Sequence, residues 1–187
     1  MAINLLGDGV RDALDPRLRS GALTRPRAVT LVDRKGNRTG QAEKLAAHQN
    51  GGHLHLAFSI FVLNARKELL LQKRAKNKYH FANLWYNTCC GHPRPNEEID
   101  HAAQRRLNEE FGFTTELQTH FSLVYEAYDD VTGLTEKEFL HVLIGCFNGT
   151  PQPEPKEVGE WCWQPISSPG PQPSWSRVAG FRIMCTG

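Results

Sequence analysis

The stretch GHPRPNEEIDHAAQRRLNEEFGF, residues 91–113, decides the fold. Apolar residues recur in it every four positions, which is typical of a helix with one buried stripe. These residues are Ile99, Ala103, Leu107 and Phe111. Gly112 follows at once, and glycine commonly ends helices because it adopts the left-handed conformation without a steric cost. The sequence therefore predicts an amphipathic helix over 99–111.

The polar residues around this helix also keep a fixed spacing. Gly91 is followed after five residues by Glu97, and after seven more by the run RRLNEEFGF over 105–113. This pattern resembles the Nudix box, a strand–loop–helix unit whose loop bends over a diphosphate and whose helix glutamates hold a divalent metal. Carboxylate oxygens suit Mg²⁺, which also takes phosphate oxygens. The resemblance implies that a diphosphate binds here.

Arg106 departs from this pattern, because a Nudix hydrolase carries glutamate at that position. Hydrolysis of a diphosphate generally needs several carboxylates to hold metals and activate water. An arginine would instead grip the diphosphate with a bidentate fork. The simpler alternative is a solvated helix face, since Arg105–Glu109 and Arg106–Glu110 are ordinary i,i+4 pairs.

Outside the helix, the sequence predicts mostly strands and turns. Predicted strands cover 28–32, 53–63, 68–73, 84–88, 121–128, 139–147 and 161–163, and a short helix covers 41–48. This order predicts the α+β class, with a curved, partly antiparallel mixed sheet flanked by helices. We expect a polar leader over 1–27, one domain over 28–164 and an irregular C-terminal segment over 165–187.

Composition excludes several other classes of protein. With 40% hydrophobic and 22% charged residues, the 187-residue chain has the balance of a globular domain. No apolar run reaches the roughly 20 residues of a membrane span, and a net charge of +2 argues against a nucleic-acid binder. The five cysteines include an adjacent pair and suggest no disulfide framework. We therefore expect free thiols and a cytoplasmic location, with no membrane or nucleic-acid partner and the oligomeric state left open.

A second set of residues has no metal signature by spacing alone. It comprises NTCCGHP over 87–93, AAH over 46–48, LHLAFS over 54–59 and the alternating pair Glu136 and Glu138. Taken with the altered box, these segments resemble type I isopentenyl-diphosphate isomerase from about residue 28 to about residue 163. That family implies a Nudix-like fold and the reversible conversion of isopentenyl diphosphate to dimethylallyl diphosphate, in isoprenoid precursor biosynthesis.

The resemblance also implies roles for individual residues. Cys90 and Glu138 would add and remove protons on opposite faces of the substrate, and Tyr125 would assist the glutamate. One Mn²⁺ or Zn²⁺ would bind at His48, His55, His92, Glu136 and Glu138, and Mg²⁺ would arrive with the diphosphate at Glu110. The basic residues expected near the diphosphate are Lys44, Arg74, Lys78 and Arg106.

Two further expectations concern the cysteine pair and the tail. Strand alternation places Cys89 on the face opposite Cys90, where we expect it to pack. The family usually has a tryptophan before a short apolar helix near the C-terminus, but Gly180 stands at that place and Trp175 lies five residues earlier. Two other functions remain open: a Nudix diphosphate hydrolase, and a non-catalytic metal-binding module.

Overall fold

A computed structural model of the chain describes residues 28–76, 85–129 and 133–166. The predicted leader over 1–27, Lys78, and the C-terminal segment from residue 167, including Trp175, lie outside these residues. The strands are β1 (Ala28–Val32), β2 (Arg38–Glu43), β3 (His55–Leu63), β4 (Glu68–Arg74), β5 (Trp85–Tyr86), β6 (Cys89–Gly91), β7 (Leu117–Asp129), β8 (Leu134–Cys146) and β9 (Val158–Pro165). One α-helix, α1 (Ile99–Phe111), and a 3₁₀ turn (Ala46–His48) complete the described elements.

Strand β3 lies at the centre of the sheet, as its apolar sequence predicts. All nine of its residues are buried. Its pairing with β8 is parallel and runs along its whole length, and its pairings with β1, β6 and β4 are antiparallel. The remaining described pairings are antiparallel, so the predicted α+β class with a mixed sheet is confirmed.

Helix α1 covers one face of the sheet and begins and ends at the predicted residues. Its apolar stripe packs on the side chains of β3 that have even numbers, Phe58, Ile60 and Val62, to form the main core. Gly112 ends the helix with φ +69°, where a Cβ would lie 2.9 Å from the Gln152 carbonyl oxygen. The opposite face of β3 carries a second apolar cluster that includes Phe61 and Leu63.

Some predicted elements are wrong in type or extent. The region 41–48 is not a helix: β2 runs through Glu43, and only a 3₁₀ turn follows. Pairing with β1 across the turn at Gly36 imposes the extended form on a polar segment without strand periodicity. Within the strand predicted over 84–88, the structure has only the two-residue strand β5, and β6 begins after the predicted range, at Cys89. Both β7 and β8 start earlier than predicted. In the described parts of the chain, no helix combines the length and apolarity needed to cross a membrane.

Candidate active site

The residues expected to transfer protons to and from the substrate project from the face of the sheet opposite α1. Residues paired directly across neighbouring strands project from the same face of a sheet. Ser59 of β3 pairs with Cys90 of β6, and His55 of β3 pairs with Glu138 of β8. Glu138 in turn pairs with Tyr125 of β7. Because His55 and Ser59 are four residues apart on one strand, all five side chains project from this face.

Three histidines from separate elements meet on this face. His48 comes from the 3₁₀ turn, His55 starts β3, and His92 follows β6. One ring nitrogen from each lies within 4.8 Å of the other two. His48 and His55 are fully buried. The Nε2 atoms of His55 and His92 are 3.2 Å apart, too close for two cationic rings.

Backbone carbonyls fix how two of these rings present their nitrogens. Nδ1 of His48 lies 2.6 Å from the Lys44 carbonyl oxygen, and Nδ1 of His55 lies 2.8 Å from the His53 carbonyl oxygen. A carbonyl can only accept, so each Nδ1 carries the proton and each Nε2 is left with its lone pair. Nε2 of His48 is buried and has no hydrogen-bond partner among the described residues.

Burial keeps these imidazoles neutral. It lowers the pKa of His48 to about 2, with further lowering from the charges of His55 and His92. Burial and His92 likewise lower the pKa of His55 to about 4, although Glu138 opposes the shift. Neutral imidazole is the form that binds metals.

Carboxylates complete this donor set. Oε1 of Glu138 lies 3.0 Å from Nε2 of His92 and 4.0 Å from Nε2 of His55. Glu136 is fully buried and precedes Glu138 by two residues on β8, so both side chains project from the same face.

Converging imidazole lone pairs beside buried carboxylates fit a divalent metal ion. Without such an ion, the buried Nε2 atom of His48 would be an unsatisfied polar group, which lowers the stability of the fold. The structure thus brings the predicted ligands His48, His55, His92 and Glu138 together and places Glu136 beside them.

The two cysteines of β6 have different environments. Cys89 is fully buried and belongs to the core under α1. Cys90 is only partly buried and contacts Ser59 and Asn87 through its sulfur. The prediction that Cys89 packs on the face opposite Cys90 is confirmed.

On the helix side of the sheet, Glu110 forms a second polar group. This carboxylate is only 1% exposed and accepts a 2.9 Å hydrogen bond from Nε2 of Gln72. The Arg106 guanidinium contacts Glu110 directly and also lies 2.8 Å from Glu109 and 3.5 Å from Glu157. The altered box therefore pairs its arginine with the remaining glutamates.

Strand β6 separates these two groups of side chains. Cys90 projects toward the histidines, whereas a Cβ on Gly91 would point to the helix side, 3.5 Å from Cγ of Arg106 and 3.0 Å from Phe58. A side chain at Gly91 would thus press on Phe58 in the core and make ordinary contact with Arg106.

The predicted basic residues lie on different elements. Lys44 is buried next to the histidines, and its charge contributes to lowering the pKa of both His48 and His55. Arg74 is buried at the end of β4, with its guanidinium carbon 5.9 Å from the centre of the Tyr86 ring.

Sequence reasoning gave no role to three polar residues at the site. Gln72 bonds to Glu110, and Ser59 and Asn87 contact Cys90. Ser59 and Asn87 stand inside the quoted motifs, so their polar side chains in apolar surroundings were a usable signal. Gln72 could have been found as the polar residue after the apolar run Leu69–Leu71.

Comparison with known proteins identifies the class. Residues 53–181 match the family model described as NUDIX domain. A crystal structure of a protein from Deinococcus radiodurans superposes with a TM-score of 0.59 at 18% identity, covering 73% of this chain and 82% of that one. The chain therefore has a Nudix fold, built around the box over residues 91–113.

Curated relatives narrow the class to one family. The chain is 56% identical over 136 residues to the isopentenyl-diphosphate Delta-isomerase of Halorhodospira halophila, covering 72% of this chain and 78% of that protein. It is 50% identical over 139 residues to the protein of the same name from Serratia proteamaculans, covering 74% and 76%. The chain belongs to the isopentenyl-diphosphate Delta-isomerase family of the Nudix superfamily.

Proposed function

We propose that this protein interconverts isopentenyl diphosphate and dimethylallyl diphosphate. The observation that carries the proposal is the placement of Cys90, Glu138 and Tyr125 on one face of the sheet beside a cluster of metal-binding side chains. The relatives named above, with about half of their aligned residues identical, support it.

The reaction moves a double bond by exchanging one proton for another. The π electrons of the terminal alkene take a proton from an acid, which forms a C–H bond and leaves a tertiary cation. A base then removes a proton from the neighbouring CH₂ group, and those electrons form the new double bond. We assign Cys90 and Glu138 to these two proton transfers, since such groups must lie within reach of the carbons concerned.

Tyr125 assists the glutamate in this proposal. It lies directly opposite Glu138 in the β7–β8 pair, and its hydroxyl oxygen is buried. A phenol there can donate a hydrogen bond to the carboxylate or to a proton in transit, and its ring offers a π face to a cation.

Water must stay out of such a site, because it would trap the cation as an alcohol. The floor of the site is apolar: Ala57, between His55 and Ser59 on β3, is 1% exposed. Leu140, its partner on β8, carries no polar group.

The metals belong to the same proposal. His48, His55, His92, Glu136 and Glu138 would hold one Mn²⁺ or Zn²⁺, since imidazole nitrogens suit these ions. Glu110 would bind Mg²⁺ together with the diphosphate. An ion bound at the first site would hold Glu138 in place and withdraw charge from its carboxylate. Lys44, Arg74, Lys78 and Arg106 would neutralise the diphosphate.

A diphosphate hydrolase is the weaker alternative. Arg106 contacts Glu109 and Glu110, the carboxylates that a hydrolase would use for its metals. Its cation reduces the negative charge available there. Cys90 and Ser59 would also have no part in a hydrolysis.

Incubation with isopentenyl diphosphate in heavy water tests the proposal. We expect dimethylallyl diphosphate that carries deuterium on carbon, with no release of inorganic phosphate. The Cys90→Ala variant serves as the control for background exchange. Absence of the isomerised product from metal-loaded protein, or release of phosphate, would contradict the proposal.

A further inference from the structure

The surroundings of Cys90 contain a closed ring of three polar side chains. The Cys90 sulfur lies 3.4 Å from the hydroxyl oxygen of Ser59 and 3.3 Å from Oδ1 of Asn87. Nδ2 of Asn87 lies 3.0 Å from the same Ser59 oxygen, which closes the ring. Ser59 and Asn87 are 6% and 3% exposed, so water competes little for these contacts.

The orientation of the Asn87 amide follows from its neighbours. Its nitrogen lies 2.9 Å from the Ile60 carbonyl oxygen and 3.1 Å from the Cys89 carbonyl oxygen. Carbonyl oxygens only accept, so the NH₂ group must face them. Oδ1 therefore faces Cys90 and can only accept a hydrogen bond from it.

The other two contacts have a consistent direction. The two hydrogens of Nδ2 of Asn87 face three acceptors, so the Ser59 oxygen shares one of them with a carbonyl, and the hydrogen of the Ser59 hydroxyl can be donated to the Cys90 sulfur. The thiol hydrogen of Cys90 is then donated to Oδ1 of Asn87. Each of the three groups donates to the next around the ring, and hydrogen bonds arranged in this way strengthen one another.

We propose that Ser59 and Asn87 are positioning residues that hold the Cys90 sulfur in place while its proton is exchanged with the substrate. This inference rests on the proposed isomerase activity. The S–H group is the weakest donor in the ring, so its hydrogen leaves Asn87 most easily. When S–H breaks and a C–H bond forms, the sulfur becomes a thiolate and still accepts the Ser59 hydrogen bond. In the reverse transfer the sulfur regains a proton from carbon.

Ser59→Ala tests the ring with little change in volume, and Thr88→Val is its matched control. The Thr88 hydroxyl is also buried near Cys90, but it donates to the Leu70 carbonyl and accepts from the Val62 amide instead. Ser59→Thr keeps the hydroxyl and serves as the rescue variant. All variants are prepared loaded with metal, and kcat, KM and the thermal midpoint are measured with isopentenyl diphosphate.

We expect Ser59→Ala to lower kcat by about threefold to tenfold, the worth of one neutral hydrogen bond. Its KM should stay near the wild-type value, since the Ser59 hydroxyl contacts Cys90 and Asn87, neither of which is a proposed diphosphate ligand. Ser59→Thr should recover most of kcat. Thr88→Val should lower the thermal midpoint and keep kcat. An unchanged kcat in Ser59→Ala, a parallel rise in KM, or an equal loss of kcat in Thr88→Val would overturn the inference.

Infrared spectroscopy gives a readout that does not need turnover. The difference between the wild type and Cys90→Ala isolates the S–H stretching band of Cys90. We expect this band to shift in Ser59→Ala and to stay in place in Thr88→Val. If the wild type lacks isomerase activity but the S–H band still shifts in Ser59→Ala, the proposed function is refuted and the ring of hydrogen bonds is supported. An active wild type whose band does not respond to Ser59→Ala would refute the ring alone.

Discussion

Replacing Arg106 by glutamine separates its proposed contact with substrate from its contribution to stability. The Arg106 side chain is 19% exposed and contacts Glu109, Glu157 and the buried carboxylate of Glu110. Breaking a buried ion pair costs about 3–5 kcal/mol. Because water reaches this guanidinium, we expect about 2–3 kcal/mol of lost stability. A charge-assisted contact with the diphosphate is worth about 1.5–3 kcal/mol, so KM should rise about tenfold to hundredfold.

Arg105→Gln is the matched control on the same helix. Arg105 is 21% exposed, forms bonds of 2.7 and 2.8 Å to Glu97 and also contacts Glu109. Its loss should cost a similar amount of stability and leave KM unchanged, because Arg105 is not among the residues proposed to bind the diphosphate. Denaturant unfolding gives the stabilities, and initial rates give KM. An equal KM in the two variants would refute the role of Arg106 in binding the diphosphate.

Arg106→Glu extends the same test to the hydrolase alternative. It restores the glutamate of the Nudix box but places a fourth carboxylate among Glu109, Glu110 and Glu157. We expect weaker substrate binding and no diphosphate cleavage, because the chain would still lack a positioned water. Rapid release of phosphate from isopentenyl diphosphate by this variant would contradict our interpretation of the altered box.

The remaining predictions concern catalysis, metal and pH. Cys90→Ala should abolish isomerisation, whereas Cys89→Ala should keep most of it; comparable losses in two folded variants would exclude the assignment. His55→Ala should remove the ion from the histidine cluster in elemental analysis. A chelator should lower the thermal midpoint of the wild type but not that of His55→Ala, since an ion at a hundred times its Kd adds about 2.7 kcal/mol of stability. The hydrogen bond from Arg105 lowers the pKa of Glu97 below its ordinary value of 4.5. The stability that this pair adds is present above pH 4.5 and is lost as the pH falls through the lowered pKa, so Glu97→Gln should flatten the acid limb of the unfolding profile.

The accuracy of the sequence predictions differed between elements for physical reasons. Helix α1 could be predicted to the residue, because its apolar period and Gly112 are both local signals. Strand β3 could be predicted as central, because its last residues are apolar on both faces, which is typical of a strand covered on both sides. Strand β2 could not be predicted from its sequence, since this polar segment becomes extended only by pairing with β1.

For the site as well, contacts could be predicted from spacing only where the signal is local in sequence. The residue types were present in the motifs, but the proximity of His48 to His92 depends on the path of the chain between them. Ring centroids 6.2 Å apart join residues that are 44 positions apart in sequence, and no local pattern contains that contact. The Arg106–Glu110 pair, in contrast, follows from helix spacing and could be foreseen.

Strand β6 lies between the two groups of side chains to which the proposed function assigns the substrate. Only three residues long, it directs Cys90 to the histidine face and Cys89 to the helix core, and its Gly91 leaves room for the Phe58 ring. A methyl group at Gly91 would lie 3.0 Å from Phe58 and in ordinary contact with Arg106, so Gly91→Ala should disturb the core. Cys90 would keep its contacts with Ser59 and Asn87 in that variant, since these lie on the other face.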